Sequence, residues 1–191
     1  MVKHGNKEED AAVDTAANAT PADNPGDAAS ERQPAMEVMV HLIVFKLGAE
    51  EYGIKIEQVR EVTVTPGITR MPRTPDFVKG VANIRGDIIA IMSLEDRFGI
   101  RPAPMPEDVN PNLSYTLVIE ARDYKIGVMV REVPQSLNLP MSKIDKAPSF
   151  LQDIGIHENY IEGIAKVDNR LIIVLDMLRI LTNDEVLQLT A

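Results

Sequence analysis

From Val38 onward the chain runs in short apolar stretches separated by turn residues. "VMVHLIVFKLG" is dense in β-branched and large apolar residues, and "AEEYGIKI" alternates with period two at Tyr52, Ile54 and Ile56. Two such runs around a short Gly- and Glu-containing loop predict a β-hairpin. "YTLVIEARDYKIGVMV", Tyr115 to Val130, predicts a second, with Arg122-Asp123 near its turn. Shorter strands are expected in "GVANIRGDIIAIMSL" and "GIAKVDNRLIIVLDM". Helical spacing is scarce: a turn at "TPDFVKG", a short piece at "SLEDRFG" and another near "MLRILTNDEVLQL". The pattern predicts a mostly-β chain.

The strands repeat. "FVKGVANIRGDIIAIMSLEDRF" from Phe77 lies over "YIEGIAKVDNRLIIVLDMLRIL" from Tyr160 without a gap. Gly80 meets Gly163, Ala82 meets Ala165 and Ile89 meets Ile172. The preceding hairpins match as well, "GIKIEQV" from Gly53 against "GVMVREV" from Gly127. Order is kept in both halves, about 42–98 and 115–181, which marks a duplicated β unit. Each unit supplies four or five short strands, too few for a large core of its own. Small strands with one apolar face close into barrels or pack sheet on sheet. The expectation is two small β-barrels sharing a core, with the second copy of each glycine near the packing surface.

The repeat isolates one residue. Gly86-Asp87 is ready turn chemistry between two apolar runs, whereas Arg85 is a long cation that bends nothing. Its duplicate manages with Asp168-Asn169. Turn formation therefore does not require the arginine. It is either a solvated, ion-paired surface residue or a group the hairpin presents.

Composition narrows the class. Hydrophobic residues make up 45% and charged residues 26%, as in soluble globular proteins. The first 35 residues are rich in Ala, Asp, Glu and Asn, with three basic and seven acidic charges. Such a segment buries too little apolar surface to offset its ordering entropy, so residues 1–36 are expected as a disordered tail and 37–191 as the folded domain. The N-terminus lacks the apolar stretch of a secretory signal, and no run approaches a membrane span, so neither membrane insertion nor export is expected. The net charge of −9 disfavours nucleic acid, which needs a basic footprint. The basic group Lys55, Arg60, Arg70, Arg73, Lys79 and Arg85 is the one feature that favours it, but there is no Trp for base stacking.

Chemistry is sparse. Cysteine is absent, which excludes thiolate metal sites and disulfides. His4, His41 and His157 lack metal-ligand spacing, and no P-loop, G-x-S-x-G or dinucleotide glycine pattern occurs. No catalytic residue, metal or cofactor is expected.

"GVANIRGDIIAIMSLEDRFG" resembles the G-V-x-N-L-R-G-x-[IV]-x-P-[IV]-x-D-L-x-x-x-F motif of the chemotaxis coupling protein CheW family. "ITRMPRTPDFVKG" is similar to its lead-in, "FKLGAEEYGIKIEQVREV" to its opening hairpin, and "YIEGIAKVDNRLIIVLDMLRIL" to its closing segment. The resemblance runs from about Leu42 to Leu181. It implies two SH3-like five-stranded barrels and no catalysis. It further implies a cytoplasmic scaffold at membrane-associated receptor arrays, joining the cytoplasmic tip of a methyl-accepting receptor to the regulatory domain of a CheA-type histidine kinase. In such arrays the kinase domain contacts barrel ends in alternating rings, and the receptor's helical tip docks in a groove. The groove positions carried over are Val59, Glu61, Gly80 and Arg85.

Physical roles follow. A helical tip needs an apolar trough, one wall of which Val59 and Ile88 can line. Arg85 can reach helix-end carbonyls or fork onto a carboxylate, with Glu61 holding it in place. Gly80 permits close backbone approach, a need it shares with Gly163 within the fold. The sequence departs from the motif at Ala90 (proline), Ser93 (aspartate), Arg131 (within V-D-x-V) and Ser136. These leave open an auxiliary coupler of another pathway, such as surface motility. No receiver-like segment follows the domain, which disfavours the coupler variant fused to one.

Overall fold

The computed structural model describes residues 37–104, 110, 112–121, 124–146 and 160–190, with side chains to 186, all within the unit Met36–Ala191. The tail expected over 1–36, His4, His157 and the Arg122-Asp123 turn lie outside the described residues.

The first predicted hairpin is β1 (Met39–Leu47) and β2 (Glu50–Lys55). β3 (Val59–Val64) follows, then the hairpin β4 (Val78–Ile84) and β5 (Asp87–Ser93), and the short helix α1 (Leu94–Phe98). The second half repeats the plan: β6 (Tyr115–Glu120), β7 (Lys125–Val130), β8 (Gln135–Pro140), a short β9 (Ile144–Lys146), then β10 (Ile161–Val167) and β11 (Arg170–Leu175). Helix α2 (Asn183–Thr190) closes it.

The strands form two sheets, in the orders β3-β6-β7-β5-β4 and β8-β1-β2-β11-β10-β9. The fold is mostly β with two SH3-like subdomains, one sheet having five strands and the other six. The two halves do not each keep their own hairpin. β6–β7 of the second copy sits among β3, β4 and β5, and β1–β2 of the first sits among β8 to β11. Two parallel pairs make these joins, β5 with β7 and β2 with β11, together with the antiparallel pairs β3 with β6 and β1 with β8.

Both faces of β1 are buried, which explains its unbroken apolar run. Leu42 and Val44 join Leu139, Ala165, Ile172 and Val174 inside the six-stranded sheet. Ala82, Ile84, Ile89, Ile91 and Val118 fill the five-stranded one. Between the sheets lies a larger shared core, with Ile43, Phe45 and Ile54 from one side and Met92, Leu117, Ile119 and Val128 from the other. Four of the eight aromatic rings stack through it: Phe45 on Tyr52 at 6.5 Å, Tyr52 on Phe98 at 6.2 Å, Phe98 on Tyr160 at 4.9 Å. Burial pushes the Tyr52 hydroxyl up to about 12. These rings are core and offer nothing to a nucleobase.

The second-copy glycines differ from the expectation of a place at the packing between barrels: they lie against strands of their own sheets. A Cβ on Gly127 would lie 2.5 Å from Ile91 Cδ1, and one on Gly163 2.5 Å from the Asp145 carbonyl oxygen. Both press on strands of their own sheet, because small residues let ladder neighbours and side chains close in.

Helix α2 begins with a capping box. The Thr182 hydroxyl accepts the Glu185 N–H (3.3 Å) while the Glu185 carboxylate accepts the Thr182 N–H (2.8 Å). That carboxylate also takes both terminal nitrogens of Arg97, at 2.7 and 3.0 Å, and Arg97 lies 4.5 Å over the Phe77 ring.

Candidate functional site: the Arg85 turn and its rim

The β4–β5 turn comprises Arg85 and Gly86; Asp87 already pairs with Ile84 in the ladder. The turn is thus one residue earlier than the Gly86-Asp87 that sequence chemistry suggested. Arg85 itself takes φ 53° and Gly86 φ 95°. A left-handed backbone costs a residue with a Cβ roughly 1–2 kcal/mol, so this is an expensive place for arginine. Asn83 supports the bend by accepting the Gly86 N–H at 2.8 Å. Asp168 in the second copy also sits at φ 53°, which confirms the equivalence drawn from the repeat.

Arg85 Nε lies 2.7 Å from Glu61 Oε2; the arginine side chain is 83% exposed and that of Glu61 18%. Only Nε is engaged, so both Nη groups point to solvent with their donors unused among the described residues. Glu61 reaches this position through a β-bulge. Val59 pairs with Ile119 but Glu61 pairs with Val118, leaving Arg60 as the extra residue. Val59 therefore packs on the shared core with Ile119, while Glu61 shares the face of Val118, toward the interior of its own barrel. The bulge carries no glycine or proline to announce it in the sequence.

More charges continue around this barrel end. Arg60 bonds Glu120, Glu120 lies 3.8 Å from Lys125, and Lys125 Nζ lies 2.7 Å from Asp87. Read from Arg85 through Glu61, Arg60, Glu120 and Lys125 to Asp87, the signs alternate, and Asp87 is two residues from Arg85 again. The Lys125 hydrogen bond holds the Asp87 carboxyl below the usual carboxylate value. An arginine rooted in such a rim loses less freedom when a partner arrives.

The other expected positions divide. Ile88 is 68% exposed and lies on the sheet face of Ala90 and Met92, the face Val59 also occupies, three strands away. Val59 is half-buried. Gly80 is buried at a second bulge, with φ 138°, and a Cβ there would stand 2.2 Å from the Thr69 carbonyl oxygen. Its close approach is to its own chain, where Thr69 and Val81 exchange two 2.8 Å hydrogen bonds. The structure brings Glu61 and Arg85 together, keeps Val59 and Ile88 on one face, and sets Gly80 five residues up β4 from the turn, about 16 Å along the strand.

The motif departures have local partners. The Ser93 hydroxyl accepts the Asp96 N–H at 3.2 Å and caps α1, as Asp176 caps the turn after β11 by accepting the Leu178 N–H at 3.1 Å. Serine and aspartate cap about equally well. Arg131 Nε lies 3.0 Å from Glu95 Oε2, and Ser136 bonds His41. Ala90 is buried mid-strand between Val81 and Ile126. Of the six-residue basic group, Lys55, Arg60, Lys79 and Arg85 are each ion-paired, so little of it remains as a phosphate footprint. Among the described residues no helix is long and apolar enough to cross a membrane, and no cluster of acidic or histidine side chains could hold a metal.

Residues 41–185 match the CheW-like domain family. The chain belongs to that family. It is 32% identical to the chemotaxis protein CheW of Helicobacter pylori over 82% of this chain and 90% of that one. The corresponding protein of Klebsiella aerogenes is also 32% identical, over 75% of this chain and 82% of that one. The crystal structure of the scaffolding protein TtCheW from Thermoanaerobacter tengcongensis superposes with a TM-score of 0.66 at 30% identity, covering 81% of this chain and 94% of that one. As a CheW-like protein this chain is a chemotaxis coupling adaptor, and the family's members are scaffolds.

Proposed function

We propose that this adaptor joins the cytoplasmic tip of a methyl-accepting chemoreceptor to the regulatory domain of a CheA-type histidine kinase, without catalysis, and that Arg85 is its receptor-docking residue. Recruitment to membrane-associated arrays then comes through the receptor.

One observation carries the reading. Arg85 occupies a strained turn position that its duplicate fills with aspartate, is paired through Nε with Glu61, and among the described residues has no partner for its two Nη groups. A guanidinium so placed suits a helix end or a carboxylate on a helical tip. Exposed Ile88, three residues further along the chain, supplies an apolar contact. Ser93 and Arg131 are each answered within the chain, so those departures give no support to a specialised coupler of another pathway.

Arg85→Glu tests the assignment in calorimetry against a receptor-tip fragment and, separately, the kinase regulatory domain. Receptor-tip binding, expected at micromolar strength, is lost; kinase-domain binding and the melting temperature hardly change. Undiminished receptor-tip binding overturns the role of Arg85.

A further inference from the structure

One cavity lies where the two copies of the repeat meet. Phe77 and Tyr160, Asp96 and Arg179, and Arg97 and Ile180 are equivalent positions of the duplication, and all of them line a single space of about 540 Å³. Small-molecule sites span roughly 300–1,000 Å³ and favour junctions of this kind. The space shares no lining residue with the Arg85 rim.

Its donors are only partly used. The terminal nitrogens of Arg97 go to Glu185, but its buried Nε has no hydrogen-bond partner. Tyr160 is 7% exposed, and its hydroxyl has no partner among the described residues. Burial raises the pKa of that hydroxyl while the charge of Arg97 opposes the rise, so the two groups stand close together. Arg179 meets Asp176 through Nε at 3.0 Å and has no described partner for its Nη groups. Buried donors rarely stand without an acceptor. On the acidic side, Lys79 takes Asp96 at 2.5 Å and Arg97 takes Glu185, whereas Asp76 has no partner among the described residues.

A simple anion in this space would face Asp76, and a simple cation would face Arg179. A zwitterion answers both. We infer that the cavity binds a free α-amino acid with an apolar side chain. Its carboxylate accepts from the Tyr160 hydroxyl and from the guanidinium groups of Arg97 and Arg179, its ammonium is held by Asp76, and its side chain packs on Ile180 and Phe77. Because Arg97 also grips α2 through Glu185, the occupied cavity joins α1 to the start of α2. The inference does not rest on the receptor assignment and uses none of its residues.

Calorimetric titration of the full chain with L-leucine and with L-phenylalanine tests it. One saturable site is expected. Isocaproate, which lacks the ammonium of leucine, and isoamylamine, which lacks its carboxylate, should each bind about ten-fold more weakly or worse. Asp76→Asn and Tyr160→Phe should each weaken leucine binding by about ten-fold. The second variant keeps the ring that stacks on Phe98, and a thermal melt checks that both fold. Both should still bind a receptor-tip fragment as the wild type does, which separates this site from the Arg85 assignment. No saturable site for either amino acid, single-charge analogues that bind as tightly as leucine, or two variants that bind leucine like the wild type would each overturn the inference.

Discussion

Glu61 and Arg85 pair across the two edges of one sheet. Glu61 is on β3, at one end of the strand order, and Arg85 follows β4, at the other. The ion pair closes the rim of the barrel and holds the arginine at its inner nitrogen.

Glu61→Gln should therefore leave the fold intact, since a pair this exposed on one side contributes at most about 1 kcal/mol. Receptor-tip affinity should fall roughly three- to ten-fold, because Arg85 must then be ordered by the partner. Calorimetry with a receptor-tip fragment, beside a thermal melt, separates the two effects.

Arg85→Gly should make the protein more stable by about 1 kcal/mol, because glycine accepts φ 53° without steric cost. The same change should abolish receptor-tip binding. A denaturant melt reads the gain; a loss of stability instead would show that the arginine holds the barrel together.

Gly80→Ala should cost about 3 kcal/mol or more, since the new methyl meets the Thr69 carbonyl at 2.2 Å on a backbone at φ 138°. Gly163→Ala should also destabilise, by less, having the clash with Asp145 without the positive φ. Gly86→Ala meets nothing and carries only the cost of its φ of 95°. Denaturant titration of the three variants should rank them in that order.

The contact of α2 with Arg97 should be lost in acid. Burial alone would raise the Glu185 carboxyl, but the Arg97 fork and the Thr182 bonds outweigh it and hold it below its ordinary 4.5. Its stabilising effect is thus complete above that pH and disappears as pH drops through the depressed value. Val186 packs on the shared core, so its methyl resonances report the release of the helix. In Glu185→Gln this acid transition should vanish; an unchanged titration would assign it to another group.

Strands, hairpins and both halves of the duplication were legible because period-two burial writes itself into the sequence. The Arg85–Glu61 pairing was legible through the resemblance and through the contrast with Asp168. The partners of the hairpins were not, since alternation says that a strand has a buried face and not which strand lies beside it. The bulge at Arg60 was equally silent. It puts Val59 and Glu61 on opposite faces although they stand two residues apart, and no glycine marks it. Ser93 departs from the motif in sequence only, because its hydroxyl caps α1 as an aspartate would.

Because each barrel borrows two strands from the other half, neither half is a module. Severed between α1 and β6, the chain would yield a β5 without the β7 beside it and a β11 without β2. Opening either barrel means unzipping a parallel seam that the other half helped to make. Surfaces on the two barrels must then persist or collapse together, which suits a linker that should never let go of one side while still gripping the other.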